Sequence, residues 1–194
     1  MANIDAPFGL RPIAKVGQNP NNGGQTRYDV AASQSTAIFT GDPVKYKNDG
    51  TVEVATASDA LLGVFMGWFY TDPTTSKPTW SSYIPASLAT TDAKAFVCDD
   101  PNQMFIAQQD SVGSNLVAAD LNLNANLVFG AGSTTTGISG VEIDSSTGAT
   151  TATHQVRLID FYDTPDNDAT ANNSVLVIKI NNHSLGSHTG TVGV

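Results

Sequence analysis

LLGVFMGWFY, running from Leu61 to Tyr70, is apolar from end to end and carries glycines at Gly63 and Gly67. Whether it is read as helix or strand decides the fold. In a helix the two glycines would each cost roughly 1 kcal/mol relative to alanine. In a strand, an internal glycine marks a bulge or a tight bend. The stretch therefore reads as a curved central strand, apolar on both faces, inside a barrel or a sandwich. It falls well short of the ~20 apolar residues a membrane-spanning helix needs.

Strand signals continue on both sides of it. PVKYK and TVEVAT flank Asn48-Asp49-Gly50. An Asp-Gly pair suits a tight primed turn, so this segment reads as a hairpin with Val44 and Tyr46 on one face. TRYDVAA, STAIFT, WSSYIP, KAFVCDD, QMFIAQQ, GVEID, TATHQVRLIDFYD and SVLVIKINN supply further strands. Turns rich in Gly, Pro, Asn and Asp separate them, among them Asp99 to Asn102. One short helix is expected within Leu116 to Val128, capped near Ser114 or Asn115. A count of roughly ten short strands points to an all-β, antiparallel barrel or jelly-roll-like sandwich. Residues 1–24 read as an extended N-terminal arm, and 25–194 as a single β-rich domain with a flexible C-terminal tail.

Charged residues make up 14% of the chain, against ~25% in typical soluble domains. Eighteen acidic side chains outnumber nine basic ones, giving a formal charge of −9. With no basic cluster, neither nucleic acid nor an anionic membrane is an expected partner. The N-terminus lacks the basic start and apolar core of a secretion signal. Cys98, the single cysteine, excludes an intrachain disulfide and reads as a small buried hydrophobe at a strand end.

Candidate chemistry is sparse. His183 and His188 stand five apart, a spacing outside the familiar zinc motifs, and His154 reads as a strand residue. Asp160, Asp163, Asp166 and Asp168 gather oxygen ligands of the kind calcium takes. They lack the glycine and closing glutamate of an EF-hand loop, so a solvated loop of Asx turns is the better reading. No nucleophile elbow or phosphate loop is present. No cofactor and no catalytic residue is expected, and the chain does not read as an enzyme. Trp68, Tyr70, Trp80 and Tyr83 are dense enough to suggest a sugar-stacking platform, which leaves a carbohydrate-binding β-sandwich as an alternative.

The opening segment remains. Pro7-Phe8-Gly9-Leu10-Arg11-Pro12-Ile13 sets apolar side chains around two prolines and precedes an Asn/Gly-rich stretch. Each proline fixes its φ, removes a donor and pushes its predecessor toward extended geometry. The segment is expected to be neither helical nor inside a sheet, and to bind another chain through Pro7, Phe8, Leu10, Arg11, Pro12 and Ile13.

ANIDAPFGLRPI, FTGDPVKY, LLGVFMG, DDPNQMFIAQQD and the run from GVEIDSSTGATTATHQVRLIDF through PDND to VIKINNHS occur here in that order. Together they resemble a family of tailed-bacteriophage virion structural proteins of the head-decoration, or capsid cement, type. The likeness spans nearly the whole chain. It implies a β-rich protein made in the host bacterial cytoplasm and carried on the capsid exterior, commonly as a homotrimer. Its partners would be the major capsid protein and its own copies.

Overall fold

The computed structural model describes residues 3–17, 19–21, 23–32, 34–87, 89–90, 92–186, 190 and 193. The apolar stretch forms the strand Gly63–Thr71. It pairs antiparallel with Lys94–Cys98, and the register steps: Phe96 faces Gly67 while Val97 faces Phe65. Met66 is the extra residue of a bulge, and Gly67 adopts φ +143°, a conformation side chains rarely tolerate. The bulge reverses the parity of the strand. Val64 faces one hydrophobic cluster before it, whereas Trp68 and Tyr70 face the other cluster after it, which turns Phe69 to solvent.

Two antiparallel sheets dominate a sandwich-like, nearly all-β structure. One runs in the order Asn124–Ala125, Val156–Phe161, Val175–Ile180, Gln103–Gln108, Arg11–Lys15, Asn19–Pro20. The other runs Thr26–Asp29, Lys94–Cys98, Gly63–Thr71, Pro43–Tyr46, Val52–Val54, with Pro78–Ser81 on the free part of Gly63–Thr71. Two short antiparallel pairs, Leu127–Gly130 with Gly140–Ile143 and Ile38–Phe39 with the distant Tyr83–Ile84, complete the described strands. The expected hairpin forms with Val44 opposite Val54 and Tyr46 opposite Val52.

The interior divides into two clusters. The first collects Phe105, Leu158, Leu176 and Ile178 from the first sheet with Leu10, Leu127 and Ile143. The second gathers Val44, Phe65, Trp68, Ala95 and Val97 beneath the second sheet with Ile38 and Ile84. Chain neighbours Leu61 and Leu62 enter different clusters, as do Val97 and Cys98. No single cut in the chain separates the two cores.

Two expectations are corrected here, and one turn gains a role. In place of a short helix within 116–128 there is a single 3-10 turn, Ala118–Asp120, followed by strands. Asp120 accepts from the Val117 amide at 2.9 Å, a cap suited to a helix start, but Leu121 is already extended (ψ 140°) and Asn122 takes φ +71°, which ends the turn. The turn Asp99 to Asn102 carries the chain from one sheet to the other. Most important, the N-terminal segment does sit inside a sheet. Arg11–Lys15 lies between Gln103–Gln108 and Asn19–Pro20, with Pro12 opposite Phe105. An irregularity at Ile13 lets pairing resume at Ala14, so the sheet accommodates a proline that a regular ladder would resist. Of the expected C-terminal tail, residues 187–189, 191–192 and 194 lie outside the described residues, as does His188.

Candidate interaction surface

The opening segment is laid onto the domain by a pair of glycines. Gly9 has φ +69°, and a Cβ built on it would lie 2.5 Å from the Gly41 carbonyl oxygen and 2.6 Å from Ser139 Cβ. Directly beyond it, the Leu10 amide donates to that same carbonyl at 2.9 Å. Leu10 then enters the first core and is 1% exposed. It is thus a core residue, and the expectation that it contacts another chain is corrected.

Ahead of Gly9, the side chain of Gln108 holds the backbone from both sides. Its Oε1 accepts from the Ala6 amide at 3.0 Å, and its Nε2 donates to the carbonyls of Ile4 (2.8 Å) and Asn173 (2.9 Å). Asn3 bonds reciprocally with the backbone of Asp168.

What remains accessible is a different face of the same segment. Along Gln103–Gln108, Phe105 and Ala107 face the first core, so Met104 and Ile106 face outward, as Val175 and Val177 do on the neighbouring strand. The N-terminal segment crosses this outer face and leaves a groove of about 410 Å3, lined by Phe8, Arg11, Ile106, Gln108, Tyr162 and Val175. Arg11 stacks over the Phe8 ring at 4.8 Å and has no ion-pair partner among the described residues. Pro7, Phe8, Pro12 and Ile13 are half-buried and Arg11 is exposed.

The four rings read as a platform do not share an exposed face. Trp68 is fully buried and stacks on Tyr70 at 4.0 Å, and Tyr83 stacks on Phe39 at 5.5 Å. Trp80 alone is strongly exposed, at 53%. Its neighbours are Phe96, 5.1 Å away, and its cross-strand partner Phe69, which is 43% exposed. Local sequence points to neither: the parity reversal at Met66 hides which residues of WFY face out, and Phe96 joins them only through the pairing of Lys94–Cys98 with that strand.

The acidic loop behaves as a staple. Asn167 donates to the carbonyls of Tyr162 and Val175 and accepts from the Val175 amide, while Asp168 closes an Asx turn with Thr170. Among the described residues no three His, Cys, Asp or Glu side chains are grouped to hold a metal. Cys98 is buried, and desolvation pushes its thiol up to about 11. His183 is buried and accepts from the Leu185 amide through Nδ1, and His154 faces the Asn124 carbonyl. No helix among the described residues is long and apolar enough to cross a membrane.

One charged group could not have been found from local sequence. Glu142 has a carboxylate oxygen enclosed without a hydrogen-bond partner. Burial, with added repulsion from Asp5 and Asp110, pushes its carboxyl up to about 7. The three carboxylates come from distant parts of the chain. Comparison with family models, curated proteins and solved structures returns no match.

Proposed function

We propose that the chain is a phage head-decoration protein that binds the outer surface of a capsid shell as a homotrimer and stiffens it. The observation that carries this reading is the outer face of the first sheet. There the N-terminal segment, held in place by Gln108, offers Phe8 and Arg11 at the rim of an apolar groove. An aromatic ring with an arginine over it and free of an ion pair is a strong contact unit, since Arg and aromatic side chains dominate interface hot spots. Three such faces on one trimer would engage a shell together, and effective concentration would turn modest single contacts into firm retention. The likeness of PFGLRPI and its companion stretches to virion structural proteins supports the same reading.

Removing residues 1–24 is a poor test, because it deletes Leu10 from the core and two strands from the first sheet. The better variant is the double substitution Phe8→Ser and Arg11→Glu, which leaves Leu10 and the Gln108 clamp intact. It should stay folded and fail to co-sediment with shells assembled from the capsid protein encoded alongside it. Undiminished co-sedimentation would overturn the assignment of this face, and a wild-type protein that ignores such shells would overturn the function.

A further inference from the structure

The outer face of the second sheet carries a feature that capsid attachment through the first does not use. Past the bulge, Gly67 and Phe69 point out of the sheet, and on the next strand Phe96 and Lys94 do the same. On the third strand Arg27 pairs with Phe96 and Asp29 with Lys94. The indole of Trp80 lies directly over Gly67: a Cβ on that residue would run into three atoms of the six-membered ring. One face of the indole is therefore pressed on backbone, while the ring as a whole stays 53% exposed. Phe96, tilted at 55°, buttresses its side. The result is a flat aromatic platform whose orientation is fixed before anything binds.

Its charges are ordered as well. Lys94 pairs with Asp29. Arg27 is exposed, shares the row of Gly67 and Phe96, and has no ion-pair partner among the described residues. On a chain of formal charge −9, an unpaired guanidinium beside exposed rings is matched by an anionic group on the ligand.

We propose that this patch binds an acidic saccharide, with one sugar ring stacked on Trp80 and its carboxylate or phosphate paired with Arg27. The axial C–H face of a pyranose is apolar and planar enough to cover an indole, while its rim carries hydroxyls that Lys94 and Asp29 can bond. The guanidinium fork suits a carboxylate or phosphate in bidentate geometry. Gly67 and Arg27 lie two strand spacings apart, ~10 Å at the usual separation of neighbouring strands, a span of one to two sugar rings. A flat, pre-oriented ring with polar groups beyond it favours a sugar over a protein side chain, which would seek a concave pocket.

The two tryptophans supply the readout. Trp68 is shielded and Trp80 exposed, so acrylamide quenching of intrinsic fluorescence reports mainly on Trp80. The full-length protein is titrated with a panel of oligosaccharides bearing uronate, sialate or phosphate groups, with neutral isomalto-oligosaccharides alongside. At least one acidic probe should cut the quenching constant two-fold or more. Arg27→Gln should weaken that probe at least five-fold, and Trp80→Ala, checked for folding by circular dichroism, should abolish binding measured calorimetrically. Protection by no acidic probe at millimolar concentration overturns the proposal, as does equal binding of neutral probes or an unchanged response in Arg27→Gln. Protection that grows with protein concentration and needs no sugar also overturns it and makes the patch a contact between copies.

Discussion

Gly9 and Gly41 lie back to back. A Cβ on Gly41 would fall 2.7 Å from the Phe8 carbonyl oxygen, just as one on Gly9 would meet the Gly41 carbonyl. This mutual approach seats the opening segment and sets up the 2.9 Å bond from the Leu10 amide. Both glycines also have positive φ, +69° and +96°. Gly9→Ala adds a left-handed strain and a steric clash together, and should cost about 2–4 kcal/mol in chemical denaturation. Leu10→Ala should cost about 2–5 kcal/mol by opening a cavity in the first core. A free arm would show neither loss.

Gln108, 4% exposed, spends its amide on three backbone groups, two of them in the opening segment. Gln108→Leu keeps the volume and removes the bonds, leaving half-exposed backbone partners to water at a cost of about 0.5–1.5 kcal/mol. The effect should be local. Hydrogen exchange at the Ala6 amide should accelerate and proteolysis should appear within residues 3–9, while the amides of Gln103–Gln108 stay protected. Unchanged exchange at Ala6 would mean the clamp does not hold the segment.

Much of the fold is legible along the chain, and the gaps have physical causes. The hairpin at Asn48 to Gly50 and the bulge in LLGVFMGWFY follow from local backbone chemistry. The bulge glycine is the same Gly67 that strand reasoning picks out. What a linear reading lacks is the consequence of that bulge. One inserted residue, Met66, swaps the faces of everything after it, so Trp68 goes into the core and Phe69 to the surface. The N-terminal segment is misread for a related reason. Two prolines argue against a regular ladder, but the irregularity at Ile13 and the contact between Gly9 and Gly41 depend on residues far away. Of the candidate contact face, Phe8 and Arg11 are legible because they stand out locally. Gln108, Tyr162 and Val175, which complete the groove, are brought there by the sheet order alone.

The bulge yields its own prediction. Gly67→Ala would force a side chain into the Trp80 indole at a φ of +143°. It should destabilise the protein by about 2–4 kcal/mol. Acrylamide quenching of Trp80 should rise as the ring lifts from the sheet, with Trp68 still shielded. A variant with wild-type stability and quenching would show that the indole does not rest on Gly67.

The acidic trio of Asp5, Asp110 and Glu142 makes stability pH-dependent in a direction opposite to that of most carboxylates. Glu142 titrates near 7 in the folded protein, against an ordinary value of 4.5. The folded state therefore holds the proton more tightly than the unfolded chain. That contribution is complete below pH 4.5 and is lost as pH rises through 7. Asp92 works the other way: hydrogen bonds from Thr71 and Thr90 hold it down to about 2. Its contribution is present above pH 3.8 and is lost as pH falls through 2. Glu142→Gln keeps the shape and removes the charge. It should raise stability at pH 8 by about 1–2 kcal/mol, allowing for solvent screening, and flatten the decline between pH 4.5 and 7. Denaturation curves across that range provide the measurement. Asp110 is tied down by Ser145, whose amide and hydroxyl both donate to it. Asp5 is exposed and sits on the segment that Gln108 clamps. Repulsion is thus relieved most readily by moving Asp5, so exchange at the Ala6 amide should quicken above pH 7 in the wild type. In Glu142→Gln it should show no such step beyond the intrinsic pH dependence of exchange.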